Sequence, residues 1–221
     1  MAKKLRKLPP LILASQSPRR RDLLDQLGLS FSVYVPTVEE LLAPARRGKK
    51  TPEMVVRKIA AEKAHHAALE LKSRGTKSAL ILAADTLVFQ GANVMSKPHN
   101  QKEARAMLKH LSGKKHTVAT AVHGILLAGP STHEREIVVK TTVKFRKLPR
   151  ELLDWYLNTE EPYDKAGAYG AQGVGASFIE SILGSYTNVV GLPIAETMAL
   201  IEKLSGQPWH YWCRPMRSPV A

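Results

Sequence analysis

Apolar and polar positions alternate along this chain in two periods, and the change of period marks the elements. Leu11-Ile12-Leu13-Ala14 is a short apolar run that predicts a buried strand. Ser17-Pro18 then predicts a helix start, with the serine as a side-chain cap and proline where a missing N–H costs nothing. Leu23, Leu24 and Leu27 give that helix one apolar face, and Gly28 suits its left-handed end. Phe31 to Val35 predicts a second short strand. Thr51-Pro52 repeats the cap-then-proline signature and opens a long helix reaching Arg74, with Val55, Ile59, Ala60, Lys63, Ala67 and Leu71 near helical period and Gly75 as its stop. Ser78 to Phe89 is apolar almost throughout, as in a strand covered on both faces.

The second half continues the pattern. Gln90 to Asn93 predicts a turn. Asn100 with Glu103 three residues on forms a capping box for a helix that turns Met107, Leu108 and Leu111 inward and stops at Gly113. Thr117–Leu127 and Glu134–Phe145 predict a long antiparallel pair joined by Gly129-Pro130-Ser131-Thr132. Val139, Thr141, Val143 and Phe145 alternate along its second arm. Pro149 to Asn158 predicts a short helix. Tyr163 to Gly191 holds six of the fourteen glycines, with Lys165, Gln172, Ser185 and Asn188 among them, and predicts either a loop-rich region or a wall lining a substrate. Pro193 opens a last helix carrying Ile194, Met198, Ile201 and Leu204.

Chemistry enters where residues break these patterns. Asp85 and Thr86 interrupt the most apolar strand, and a carboxylate there is expensive unless paired, hydrogen-bonded or bound to a metal. Ser15, Ser17, Arg19, Arg20 and Arg21 crowd a helix N-terminus. Arginines there oppose the helix dipole, whereas the backbone N–H groups and the guanidinium forks suit an anion. A phosphate site and a solvated basic turn are both open readings. Lys63, beside an apolar stripe, is either a snorkelling stem or a cation aimed into a cleft. Glu39-Glu40, after a strand, is either a metal-binding pair or ordinary surface.

The chain has 221 residues, enough for one sizeable core or two small lobes, and its 44% apolar content is that of a globular protein. An excess of 33 Lys+Arg over 19 Asp+Glu gives +14 and suggests an anionic partner, a nucleotide or a nucleic acid, although part of it sits in basic termini and in the loop around Arg46 and Lys50. The single cysteine, Cys213, excludes an intramolecular disulfide and a cysteine-based zinc site. The longest apolar runs are short for a membrane span, and the basic N-terminus lacks a full apolar signal region, so a cytoplasmic enzyme or binding protein is expected. Trp209, Tyr211 and Trp212 either pack back on the domain or meet another subunit, with base stacking as a further reading. No GxxxxGK[ST] loop occurs, which argues against an ATP-driven motor.

An ordered set of segments resembles the Maf family of nucleotide pyrophosphatases, relatives of the inosine triphosphatases. The set is ASQSPRR (14–20), Glu40, AEKA (61–64), AADTLV (83–88), SKP (96–98), LSGKKHTVAT (111–120), VKFRKL (143–148), YDKAGAYGAQG (163–173) and GSYTNVVGLP (184–193). It covers roughly residues 11 to 204. The resemblance implies an elongated mixed α/β sheet with flanking helices and two lobes around a cleft, in a domain over residues 10–206. A basic tail (1–9) precedes it and an extension (207–221) follows. It also implies hydrolysis of a nucleoside triphosphate to the monophosphate and pyrophosphate, a divalent cation (Mg²⁺ or Mn²⁺) and a homodimer.

By the same resemblance, Asp85 matches the general base and a metal ligand, and Glu40 matches a second acid at the metal. Lys63 and Lys97 match catalytic cations, and Arg20 and Lys165 further positive groups around the triphosphate. Ser15 and Ser17 match the hydroxyls of the first loop. Arg19, Thr86 and Gln172 match the branch that prefers dTTP, UTP and modified pyrimidine nucleotides, and the Gln172 amide can pair with the O4/N3 edge of the base. Ala171 stands where an isoleucine is common, and Ser96 where a glycine is. Attack at the α-phosphorus needs an in-line water, a metal to neutralise charge and cations on the leaving group, and this residue set suits all three. The competing reading is a basic nucleic-acid-binding regulator without hydrolase activity.

Overall fold

Strand β1 (Leu11–Ala14) is fully buried and stands between two parallel neighbours, β2 (Phe31–Tyr34) and β3 (Ser78–Gln90). Those neighbours are reached through helices α1 (Pro18–Gln26) and α2 (Pro52–Ser73), so the N-terminal third is a pair of strand–helix–strand units. The computed structural model describes residues 8–35 and 51–214. β4 (Asn93–Met95) folds back on the end of β3, and α3 (Gln101–Leu111) follows. The long hairpin β5 (Lys115–Ala128) and β6 (Ser131–Phe145) then adds antiparallel to β3. β7 (Ile179–Leu183) closes the order β2-β1-β3-β5-β6-β7. Helices α4 (Arg150–Tyr156), α5 (Tyr186–Val190) and α6 (Ile194–Ser205) complete a mixed α/β fold.

The strands β3, β5 and β6 are long enough to carry two apolar cores, one near each end. Leu80, Leu82 and Val122 pack with α1 and α6 around Leu24, Ile201 and Leu204. Toward the other end, Val88, Val118 and Val143 pack with α3 and α4 around Leu108, Tyr156 and Phe178. α2 covers the opposite sheet face with Ala60, Ala64 and Ala67 against Ile81, Ala83 and Ala121. Small residues on both surfaces let this helix lie close to the sheet.

Local signals behave as the sequence suggests, with a few differences. Thr51 caps α2 through the Met54 N–H at 3.3 Å. Asn100 caps α3 through the Glu103 N–H at 2.9 Å, and Glu103 reaches back to the His99 N–H at 2.9 Å. Ser17 does not cap α1: its side chain accepts no first-turn bond, and its own N–H donates to Ser15 Oγ at 3.2 Å. The hairpin turn is tighter than expected, with only Gly129-Pro130 between the strands. Residues 163–191 are more regular than a glycine-rich loop. They hold the end of one 3₁₀ turn (Glu161–Asp164), two further 3₁₀ turns, β7 and α5, because a short edge strand and a five-residue helix leave almost no periodic trace.

Of the C-terminal aromatics, Trp209 and Trp212 pack back on the first core, whereas Tyr211 is exposed. Trp212 is buried against the first core, and its indole N–H donates to Pro9 O at 2.8 Å. Cys213 bridges to Leu29 beside it.

Candidate active site

The cleft arises from a break in strand pairing. β1 pairs with β3 at Leu80–Leu82 and then ends, whereas β4 takes up the same edge only from Val88. Between them β3 runs on with its other edge fully paired to β5. Asp85 and Thr86 lie in this gap, beyond the carboxyl end of β1, where open α/β sheets place their ligands. A cavity of about 360 Å³ occupies the position.

Adjacent strand residues face opposite sides of a sheet. Asp85 faces α2, and its Oδ1 accepts from Lys63 Nζ at 2.8 Å. Both side chains are largely buried, at 15% and 20% exposure. This resolves the two open readings: Lys63 is not a snorkelling stem, and Asp85 is the paired carboxylate its strand demanded.

Thr86 faces α1, where Arg20 is the hub. The Arg20 guanidinium donates to Gly191 O (2.8 Å), Ala84 O (2.8 Å), Ser15 Oγ (3.1 Å) and Thr86 Oγ1 (3.1 Å). It is 8% exposed. Burial holds it below the ordinary arginine range; the Asp85 charge opposes that shift and Arg19 adds to it. From Thr86 a buried polar chain continues through Thr120, 2.9 Å away, whose hydroxyl donates to Asn188 O at 3.1 Å. Asn188 in turn donates to Val118 O and Thr141 Oγ1. The chain fastens the 184–193 segment to the sheet beneath the cleft.

The facing wall is built differently. Glu161 accepts from the Val174 and Gly175 N–H groups at 2.8 and 3.0 Å and folds the glycine-rich turn around itself. A side chain at Gly175 would meet the Gly170 backbone at 2.8 Å, so the turn has no room for one. At the rim, Asp164 bridges Arg19 Nη1 at 2.8 Å and Lys165 Nζ at 2.5 Å. Burial raises the Asp164 pKa, yet hydrogen bonds from Lys165 and Arg19 hold it below the ordinary value. Behind the rim, Tyr169 and His116 Nε2 lie 2.7 Å apart, and burial pulls the imidazole from 6.5 to about 4.

Of the residues singled out in the sequence, Ser15, Ser17, Arg19, Arg20, Lys63, Asp85, Thr86, Lys97 and Lys165 all line this one cavity. Gln172 is exposed and does not line it. Glu40 lies outside the described residues. Sequence reasoning missed Asp164 and Tyr169 as site residues, and it named Asn188 without the chain that joins it through Thr120 to Thr86. Asp164 could have been flagged by its neighbour Lys165; the threonines carried no signal. The assembled groups offer hydroxyls, a paired carboxylate and a spread of cations, a set suited to binding a polyanion.

The Maf family model, described as Maf-like protein, matches residues 10–204. A dTTP/UTP pyrophosphatase from Anaeromyxobacter dehalogenans is 44% identical over 207 residues, covering 94% of this chain and 99% of the relative. A dTTP/UTP pyrophosphatase from Myxococcus xanthus is 45% identical over 200 residues, covering 90% and 95%. Among solved structures, a HAM1 protein from Coxiella burnetii aligns over 92% of this chain and 96% of its own, with a TM-score of 0.41 and 17% identity. The chain belongs to the Maf family.

Proposed function

We propose that this Maf-family chain is a nucleoside triphosphate pyrophosphatase acting on dTTP, UTP and modified pyrimidine nucleotides. The observation that carries the reading is the Asp85–Lys63 pair set in the sheet gap and ringed by Arg19, Lys97 and Lys165. The names of its relatives, covered almost end to end, supply the substrate class.

In the proposed reaction a water oxygen bonds to the α-phosphorus. The bond from that phosphorus to the bridging oxygen breaks, and its electron pair leaves with pyrophosphate. Asp85 takes the proton of the attacking water, and Lys63 fixes the carboxylate orientation through its 2.8 Å contact. Arg19, Lys97 and Lys165 carry the charge of the phosphates, and Arg20 holds Ser15 and Thr86 in place around them. The donor set fits a hard divalent ion, since Mg²⁺ is commonly held by one or two carboxylates together with substrate phosphates. Asp85 would hold it, with Glu40 as the expected second carboxylate. When bound, Mg²⁺ or Mn²⁺ neutralises phosphate charge.

Two further parts of the proposal are a cytoplasmic setting and a homodimer. Among the described residues no helix is long and apolar enough to cross a membrane. The exposed Leu183 and Tyr186, on and beside the edge strand β7, offer a face to a second copy, which light scattering checks.

The decisive test is a product assay over a panel of nucleoside triphosphates with Mg²⁺ or Mn²⁺, scoring pyrophosphate separately from phosphate. Pyrophosphate with dTMP or UMP is expected. Release of phosphate alone would overturn the reaction, and turnover of purines alone would overturn the substrate class. The proposal also includes base reading by Gln172, which is exposed outside the cavity lining; Gln172→Glu tests it, and an unchanged preference among nucleotides would remove that residue.

A further inference from the structure

Outside the cleft, three potential metal ligands converge from three different elements. His65 comes from α2, His123 from β5 and Glu134 from β6, and their ligand atoms all lie within 4.8 Å of one another. His65 Nε2 and His123 Nε2 approach the same carboxylate oxygen, Glu134 Oε2, at 2.6 and 3.1 Å. Two imidazole nitrogens directed at one carboxylate oxygen bring three ligand-type atoms from three elements to one point. The Glu134 side chain is 52% exposed, so its carboxylate can rotate aside and become the third ligand.

The surroundings fit as well. His123 is only 8% exposed, and its other ring nitrogen, Nδ1, is buried without a hydrogen-bond partner. Glu136 Oε2 lies 4.0 Å from that Nδ1, close enough to close the carboxylate–histidine contact that usually orients a metal-bound imidazole. Arg57 pairs with Glu136 and fixes it from the α2 side. His65 is half-exposed, which leaves an entry path and room for water as a fourth ligand. Two imidazoles and a carboxylate favour Zn²⁺ and its neighbours over Mg²⁺ or Ca²⁺.

We infer that His65, His123 and Glu134 form a zinc-class metal site, separate from the catalytic cleft, that clamps α2 onto the β5–β6 hairpin. The clamp bears on the cleft through position alone. His65 is two residues from Lys63, and His123 pairs in register with Ala83, two residues from Asp85. A metal at this point fixes the rotation of the helix that presents Lys63.

The test uses full-length protein stripped with a chelator, equilibrated with Zn²⁺ in excess Mg²⁺, desalted, and assayed for bound zinc by atomic emission. About one equivalent is expected, retained in Asp85→Asn as well. His65→Ala and Glu134→Gln, both at exposed positions, should each weaken zinc binding at least about tenfold. Zinc at a hundredfold excess over its Kd should raise the wild-type Tm by roughly 5–10 °C and leave that of His65→Ala unmoved. No retained zinc in the wild type would reduce the cluster to two histidines hydrogen-bonded to one acid and overturn the inference. Equal retention in His65→Ala and Glu134→Gln, or loss in Asp85→Asn, would place the zinc elsewhere and overturn it too.

Discussion

The two walls of the cleft meet α1 by opposite means. The wall on β3 is fixed by buried bonds: Arg20 alone ties together a strand carbonyl, the Gly191 carbonyl and two hydroxyls. The wall across from it meets α1 through Arg19 and Asp164, the latter more than half exposed at the rim. The first arrangement sets geometry before any substrate arrives, as a reacting centre requires. The second offers cations whose present partner is a carboxylate, which an incoming phosphate can replace. In the proposed reaction, chemistry therefore falls to the rigid wall and charge capture to the exchangeable one.

The largest expected effect breaks the rigid wall at its reacting group. Asp85→Asn should lower turnover by roughly 10²–10⁴-fold while the protein stays folded, as read by steady-state kinetics and circular dichroism. Near-normal turnover would remove Asp85 from its role. Next, Arg20→Met should cost about 3–5 kcal/mol in urea unfolding, because it leaves several buried acceptors without donors. A cost near zero would mean that the hub is ornamental and the two walls are alike.

A third prediction concerns pH. The His116 imidazole titrates near 4 when folded against 6.5 when free, so the unfolded chain binds the extra proton between those values. The stability that His116 contributes should hold above pH 6.5, fall by about 3 kcal/mol as pH drops toward 4, and level off below, where loss from the depressed Asp164 carboxylate continues. His116→Gln should flatten that limb in a pH series of urea midpoints.

Smaller effects belong to the exchangeable wall. Asp164→Asn removes the competitor for Arg19 and Lys165 and should lower KM by less than about fivefold, with kcat unchanged. A raised KM would show instead that Asp164 positions those cations. Smallest of all, Ala168 sits in the left-handed region at φ 63°, and Ala168→Gly should change stability by less than about 1 kcal/mol, relief of strain offsetting added chain entropy.

What could be read from the sequence follows the same division. Asp85 was legible because its strand is otherwise apolar, and the Asn100–Glu103 cap because it is local. Arg19 and Asp164 stand 145 residues apart, and nothing in spacing joins the arginine of the first loop to that acid. The strand Ile179–Leu183 carries Glu180 and Ser181 between its apolar residues, and only pairing with β6 makes it a strand. His65, His123 and Glu134 meet through tertiary structure alone and match no ligand-spacing pattern. Gln172, singled out for base recognition, is exposed, whereas its neighbour Ala171 packs against the first core and its carbonyl accepts from the Tyr186 hydroxyl at 3.2 Å.

The gap between β1 and β4 has a consequence for solubility. An unpaired length of strand is a template for another chain, and proteins usually blunt such edges with charge or cover. Here the blunting is done from inside: Arg20 takes the Ala84 carbonyl that a foreign strand would seek, and Asp85 sets a charge in the adjoining position. The residues that equip the cleft thus also guard the sheet against self-association, so losing them exposes an adhesive edge as well as an idle site.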